Sequence, residues 1–244
     1  MAESNLYLHR GAKFVTLDEL QQIKAPPPEG RWFPLAHSRV LTIVKDTLGD
    51  AGYEIKDQKL AVLRGAGRFF GTLDLASPVA DGISLAVGIR NSMDKTFPLG
   101  FCAGSRVFVC DNLAFRSELI VRRKHTVNGE RDFVRQIAQA VGMLPSFQEQ
   151  EAARIERMKE TELGEDQADA LILRGFERGI VGSRELPKVL QQWRNPPFEE
   201  FQPRTAWTLL NAFTGAMKER GSSMPQIHAT QTMRLHALLD PERN

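Results

Sequence analysis

Between residues 60 and 124 the chain runs through short segments rich in Val, Ile, Leu and Phe, with only brief polar connections between them. The segments cover 60–64, 68–75, 83–90, 97–102, 106–110 and 118–124. Gly, Asn, Asp, Ser and Pro fill most of the connections, as is typical of turns between strands. A parallel pair of strands needs a crossover of about a dozen residues, so connections this short predict an antiparallel meander.

Helical periodicity flanks this region on both sides. Before it, apolar spacing predicts a helix over 37–48, and Thr16 with Glu19 forms a capping-box pattern that opens a short helix over 17–24. After residue 126 the predicted helices cover 132–141, 148–163, 167–178, 183–193 and 205–220, the fourth of them capped by Ser183. The sequence therefore predicts an α+β fold, with an antiparallel β-meander sheet preceded by a helix and followed by a helical C-terminal half.

The domain organisation follows from these elements. Residues 1–30 are expected to form an N-terminal arm, in which Pro26, Pro27 and Pro28 make a stiff linker after the short helix. Residues 31–244 are expected to form a single α+β domain, with the sheet core over about 31–145 and the helical region over about 146–244. A chain of 244 residues is long enough to bury such a core without disulfides.

Composition indicates a cytoplasmic protein. No apolar run approaches the roughly 20 residues of a membrane span, and Glu3, Asn5 and His9 lie where a secretory signal needs an apolar stretch. The two cysteines, Cys102 and Cys110, are expected to be reduced thiols. The net charge is only +2, yet 88–124 is basic and 148–169 is acidic. This asymmetry favours either an anionic partner at the middle of the chain or two halves that attract each other.

Alternation along the strands predicts a basic and aromatic face on the sheet. If the polar sides of the strands align, one surface collects Arg68, Phe70, Arg106, Phe108, Arg122 and Lys124. Cations interleaved with rings suit single-stranded nucleic acid, because the cations follow phosphates and the rings stack on bases. The alternative is an ordinary sheet face that is exposed to water or packed beneath a helix.

Two further polar clusters are candidates for ligand contact. Arg122, Arg123, Lys124 and His125 lead directly into a helix, a setting that suits a phosphate, although they also fit a solvated strand end. The turn over 90–95 is rich in polar side chains. Its residues Arg90, Asn91, Ser92, Asp94 and Lys95 fit a ligand contact and a turn held by its own hydrogen bonds equally well.

Enzyme patterns are weak by comparison. The glycines at 65, 67 and 71 open no helix, so they do not form a phosphate-binding loop. The five histidines lack metal-ligand spacing, and no nucleophile elbow is present. We therefore predict no catalytic residue, no metal and no cofactor, and a non-enzymatic role is favoured over an enzyme with an unrecognised site.

The segments 87–97, 103–115 and 123–126, supported by 32–37 and 209–214, resemble the phage- and plasmid-like family called domain of unknown function 932. The resemblance implies a gene carried by phages, prophages and plasmids, and the family has no settled activity to carry over. Met93 stands where relatives often have His, which weakens a catalytic role for this turn. The positions that match the family motif, structural or ligand-facing, are Arg90, Asn91, Ser92, Asp94, Lys95, Arg106, Cys110, Asp111 and Asn112.

A fainter likeness concerns topology: a helix, an antiparallel sheet and a helix in this order resemble the core of single-strand annealing proteins of recombination, which form rings on single-stranded DNA. Together these points predict a non-enzymatic nucleic-acid-binding protein of phage or plasmid origin. It would bind or anneal single-stranded DNA in recombination or replication and form homo-oligomers. The predicted contacts are Arg68, Phe70, Arg90, Lys95, Arg106, Phe108, Arg122, Arg123, Lys124 and His125.

The alternative is a protein-interaction module that modulates host functions or defence. Its contact surface would be the acidic helical stretch over 148–169. In its first part, 148–163, Ile155 and Met158 are the only strong apolar anchors. Its partner would then be a host protein rather than a nucleic acid.

Overall fold

The computed structural model describes residues 13–63, 65–107, 112–218 and 225–239. Its described strands form one antiparallel sheet in which each strand pairs with the next along the chain. The strands are β1 (Lys13–Phe14), β2 (Ile55–Leu63), β3 (Arg68–Ala80), β4 (Ile83–Ser92), β5 (Leu99–Val107) and β6 (Asn112–Arg123). The meander predicted from the short connections is therefore confirmed.

One continuous strand, β5, replaces two predicted segments. The prediction separated 97–102 from 106–110 because Ala103, Gly104 and Ser105 carry little apolar signal. In the structure all three belong to the strand, and Gly104 pairs with Ala86 on β4. Small residues can therefore continue a central strand, at the cost of a register shift against β6 beside Gly104.

Helices lie before and after the sheet, as predicted. They are α1 (Leu17–Gln22), α2 (His37–Asp50), α3 (Gly129–Gly142), α4 (Leu144–Glu160), α5 (Glu165–Glu177), α6 (Leu186–Arg194), α7 (Ala206–Ala216) and α8 (Pro225–Leu239), with a short 3-10 helix over Glu199–Phe201. The capping box of α1 is present, since the backbone N–H of Glu19 donates to Thr16 Oγ1 at 3.2 Å and that of Thr16 donates to Glu19 Oε2 at 2.7 Å. Across the described ranges, no helix has both the length and the apolar character that crossing a membrane requires.

Two helix predictions differ from the structure. The helix expected to be capped by Ser183 begins later, at Leu186, where a proline in the first turn favours a helix start. α8 lies within the region expected to be helical over about 146–244, but no individual helix was predicted there, although Leu235 and Leu238 are fully buried.

The helices beside the sheet pack against one of its faces, which we call the inner face. It carries alternate strand residues such as Phe69 and Phe101, both buried. Three side-chain contacts join this face to α2, α3 and α4. They are the stacking of His37 on Phe69, the ion pair of Asp132 with Arg123, and the hydrogen bond from Ser105 to Glu151. The opposite side, the outer face, carries the other half of the strand residues.

The described part of the N-terminal segment packs on the domain. β1 pairs with β2, and Leu20 on α1 is fully buried in the same core as α2. The segment expected to be an arm therefore contributes both a strand and a core residue to the domain, at least from Lys13 onward. The arm was inferred from the prolines at 26–28, which follow α1 without separating it from the core.

Candidate nucleic-acid interface

A row of four residues crosses the middle of the outer face. Phe70 on β3 pairs with Arg90 on β4, Arg90 pairs with Gly100 on β5, and Gly100 pairs with Arg122 on β6. Paired residues in an antiparallel sheet point to the same side, so both arginines and the phenylalanine lie on the outer face. Gly100 leaves the space between the two arginines without a side chain.

Arg90 fills that space by lying flat over the glycine. A Cβ placed on Gly100 would lie 2.7 Å from Arg90 Nε and 2.8 Å from its Cγ. The guanidinium then lies over the ring of Phe97, with Cζ 5.3 Å from the ring centroid. This distance is within the range of a cation–π contact, so the position of Arg90 is fixed by a ring and a glycine.

Two aromatic rings border the arginines. The ring centroids of Phe70 and Phe97 lie 5.6 Å apart at an interplanar angle of 42°. Both side chains are half-buried, and Arg122 is exposed. We call the group Phe70, Arg90, Phe97 and Arg122 the open patch.

The positive charge of the open patch lacks a carboxylate partner within the part of the chain that the structure describes. Among the residues that the structure describes, neither Arg90 nor Arg122 has an acidic partner. Burial lowers the pKa of Arg90, and the positive charge of Arg122 across Gly100 lowers it further. Such an arrangement favours an anion that bridges the two guanidinium groups.

Arg106 is on the same face but is not available for binding, contrary to its predicted role as a contact. Its side chain is 5% exposed, and its Nε donates to Asp74 Oδ1 at 2.7 Å. The carboxylate comes from β3, two strands away, and Ser84 opposite Arg106 is buried as well. Asp74, Ser84 and Arg106 form what we call the buried end of the outer face.

Arg68, another predicted contact, is held by the turn after β4. Its Nε donates to Asp94 Oδ2 at 2.7 Å, and Ser92 Oγ donates to Asp94 Oδ1 at 2.7 Å. Thr96 also donates to this carboxylate through its backbone N–H and its hydroxyl. Partial burial alone would raise the pKa of Asp94, but the bonds from Thr96, Ser92 and Arg68 lower it to about 2. Asp94 thus organises the turn.

Lys95 takes part in the same turn. It adopts a left-handed backbone conformation with φ of 62°, and its Nζ lies 2.5 Å from Glu29 Oε2 and 4.9 Å from the centre of the Trp32 ring. These contacts tie the turn to the segment before α2. Within the described residues, Ser92, Asp94 and Lys95 therefore have structural partners.

Asn91 lies on the inner face and joins the strand to α2. Its Nδ2 donates to the carbonyl of Leu35 at 2.8 Å and lies 2.9 Å from His37 Nδ1, while His37 Nε2 lies 2.7 Å from the carbonyl of Ala66. Only a neutral His37 with its proton on Nε2 satisfies both contacts. Burial, the largest influence, lowers the pKa of His37 to about 4.

The basic cluster at the end of β6 is divided between environments. Arg122 points to the outer face, and Arg123 points to the inner face, where it pairs with Asp132 of α3. Lys124 is exposed beyond the strand. His125 is buried, and neither of its ring nitrogens has a hydrogen-bond partner among the described residues; burial lowers its pKa. The cluster is therefore not a single surface.

Phe97 and Gly100 are parts of the open patch that the sequence did not single out. Cys102 lies in the next row of the outer face, and burial raises the pKa of its thiol to about 12. Predicted site residues Phe108, Cys110 and Asp111 lie outside the described residues, as does the side chain of Asn112.

One of three comparisons with known proteins finds a match for the chain. The family described as Domain of unknown function (DUF932) matches residues 28–239, a span that holds β2 to β6 and all of α2 to α8. No curated protein and no solved structure matches the chain. The match covers most of the chain and confirms the resemblance found in the motif segments. The chain therefore belongs to the family Domain of unknown function (DUF932).

Proposed function

We propose that this chain is a non-enzymatic nucleic-acid-binding protein that holds a single strand on the open patch. One observation carries the proposal: Arg90 and Arg122 lie on either side of Gly100 on the outer face, with no carboxylate partner among the described residues, next to the rings of Phe70 and Phe97. A phosphate between the two guanidinium groups would relieve their mutual repulsion. Arginine is well suited to this task because its planar donors match phosphate oxygens.

The rings explain why a single strand is favoured over a duplex. Stacking of a base on an aromatic side chain contributes about 1–3 kcal/mol per base, and it requires a base that is free of its own stack. Phe97 already holds Arg90 by a cation–π contact, and a base beside it would extend the same stack. We further propose single-stranded DNA as the substrate, a role in annealing during recombination or replication of a phage or plasmid, a cytoplasmic location and assembly into homo-oligomers.

The alternative role for the acidic helix has less support. α4 is anchored more firmly than its sequence indicates, because Leu144 and Phe147 are buried in addition to Ile155 and Met158. Glu151 and Arg154 form a buried ion pair at 2.7 Å, and both lie on the side that faces the sheet. Part of the acidic charge therefore serves the core of the protein rather than a partner.

The test is a fluorescence-anisotropy titration of the purified protein with single-stranded DNA, duplex DNA and RNA at two salt concentrations. We expect salt-sensitive binding that is tightest for single-stranded DNA. Arg122→Ala should weaken it and reduce the slope of log K against log salt by about 0.7, the contribution of one single-strand phosphate contact. No binding to any nucleic acid at low salt would contradict the proposal.

Matched control variants lie on α5, a helix that contacts α6 and α8. They distinguish the loss of a contact in the open patch from the general effect of removing a charge or a ring. Arg174→Ala removes the same charge as Arg122→Ala at another exposed position, and it should leave the affinity unchanged. Phe97→Leu keeps an apolar side chain but removes the ring. The free energy of binding to single-stranded DNA should therefore become less favourable by about 1–3 kcal/mol. Phe176→Leu is its control, since Phe176 is 39% exposed on α5. Equal effects of Phe97→Leu and Phe176→Leu would exclude stacking at the patch.

A further inference from the structure

A second group of arginines lies where β6 meets α3. Arg123, Arg131 and Arg135 surround the single carboxylate of Asp132, and we call these three residues the α3 arginine cluster. Arg123 forms a direct ion pair with Asp132. Arg131 Nε and Arg135 NH2 lie 3.7 and 3.9 Å from Asp132 Oδ1, which is beyond hydrogen-bond distance. Among the described residues, three guanidinium groups therefore share one negative charge.

The neighbouring acid does not offset this excess. Glu130 is engaged by Arg39, whose NH2 lies 2.6 Å from Glu130 Oε1. The side chains of Arg131 and Arg135 are 77% and 70% exposed, so a ligand in solvent can reach them. Like charges held this close repel one another, and an anion that joins them would be stabilised.

The cluster is continuous with the open patch along the chain. β6 carries Arg122 on the outer face and ends at Arg123, and Lys124 follows in the open. α3 begins against this strand end, because a Cβ on Gly129 would lie 2.9 Å from the carbonyl oxygen of Lys124. Arg131 lies in the first turn of α3, and Arg135 follows about 6 Å further along the helix axis.

We infer that a single strand bound at the open patch continues around the end of β6, past Lys124, and that its phosphates contact Arg131 and Arg135. The inference rests on the proposed function and extends it: the sheet holds bases and phosphates, and α3 holds only the phosphate backbone. Exposed arginines that have no aromatic side chain beside them bind phosphates and do not recognise bases. The contact with α3 therefore depends on the length of the bound DNA strand and not on its base sequence.

The experiment compares two lengths of single-stranded DNA, a short oligonucleotide of about 5 nucleotides and a long one of about 16, within the range of site sizes for such proteins. The variant is the double change Arg131→Ala and Arg135→Ala, at exposed helical positions where alanine is well tolerated. On the long strand we expect weaker binding and a salt slope reduced by about 1.4, which corresponds to two phosphate contacts. On the short strand the affinity and the slope should equal those of the unchanged protein.

The control is Arg174→Ala with Arg184→Ala, which removes the same number of charges at two other exposed positions. If the α3 double variant behaves like this control on both lengths while Arg122→Ala weakens both, the path over α3 is wrong and the function at the patch stands. If Arg122→Ala also has no effect, or the unchanged protein binds no single strand, the proposed function fails and the inference fails with it. Equal weakening of both lengths by the α3 double variant would also overturn the length-dependent path.

Discussion

The two ends of the outer face use arginine in opposite ways. At the buried end, Arg106 is 5% exposed and paired with Asp74, whereas in the open patch Arg90 and Arg122 have no carboxylate among the described residues. Strand alternation and residue type are the same in both places. The difference is one aspartate on a strand two positions away, which turns an arginine from an available cation into a part of the core.

Of the changes considered, replacement of Arg106 at the buried end should have the largest effect on the stability of the fold. Arg106→Met leaves the carboxylate of Asp74 buried without its partner, so we expect the free energy of unfolding to fall by about 3–5 kcal/mol. Arg122→Met, the matched change in the open patch, should alter it by no more than about 0.5 kcal/mol. Urea unfolding at neutral pH measures both. Similar values for the two variants would remove the distinction between the ends.

Lowering the pH should reduce the stability of the fold without changing the positive charge of the open patch. His37 has a pKa of about 4 in the folded protein against 6.5 when unfolded, so the unfolded chain binds more protons between these values. The contribution of neutral His37 to the free energy of unfolding is therefore fully present above pH 6.5. It decreases by up to about 3 kcal/mol as the pH drops toward 4. Burial also lowers the pKa of His125, which adds a loss of the same sign.

The measurement is urea unfolding from pH 7.5 to 4.5 for the unchanged protein and for His37→Gln. The glutamine cannot be protonated, so the stability difference between the two proteins should shrink as the pH falls. The arginines keep their charge throughout, and the affinity for single-stranded DNA should stay constant between pH 8 and 6.5. A difference in stability that does not change with pH would contradict a neutral buried His37.

The smallest effect is expected from a single methyl group. Gly100→Ala places a carbon against Arg90 and moves its guanidinium away from Phe97 without changing any charge. The free energy of binding to single-stranded DNA should become less favourable by about 0.5–1 kcal/mol, the contribution of one cation–π contact. The slope of log K against log salt should not change. Gly49→Ala serves as the control, because a Cβ at Gly49 meets nothing within 4 Å. Unchanged affinity for Gly100→Ala would mean that the position of Arg90 is not important.

The sequence predicted most of the fold because its strongest signals are local. Connections too short for a crossover exclude a parallel sheet, and the capping box of Thr16 and Glu19 marks α1 without any knowledge of the core. α8 was missed because its apolar residues follow a weak helical pattern, although Leu235 and Leu238 are fully buried. The packing of that helix against α5 and α7 is a long-range property.

The candidate site was predictable only in part, for a related reason. Alternation indicates which face a strand residue occupies, and this places Phe70 and Arg122 on the same side. It does not indicate which cations find a carboxylate. The partner of Arg106 comes from a strand that is not its neighbour, and the partner of Arg68 is 26 residues away along the chain.

The N-terminal segment has a consequence for where the folding unit starts. The family match begins at residue 28, but β1 and the buried residues Val15 and Leu20 come before it. A fragment trimmed to 28–239 would expose the surface that Leu20 covers, and burial of such a side chain contributes about 1.5–3 kcal/mol. It would also remove the strand that pairs with Ala61 and Val62 and leave a longer edge of β2 open to other chains. Similarity to the family thus marks a shorter unit than the one that the core requires.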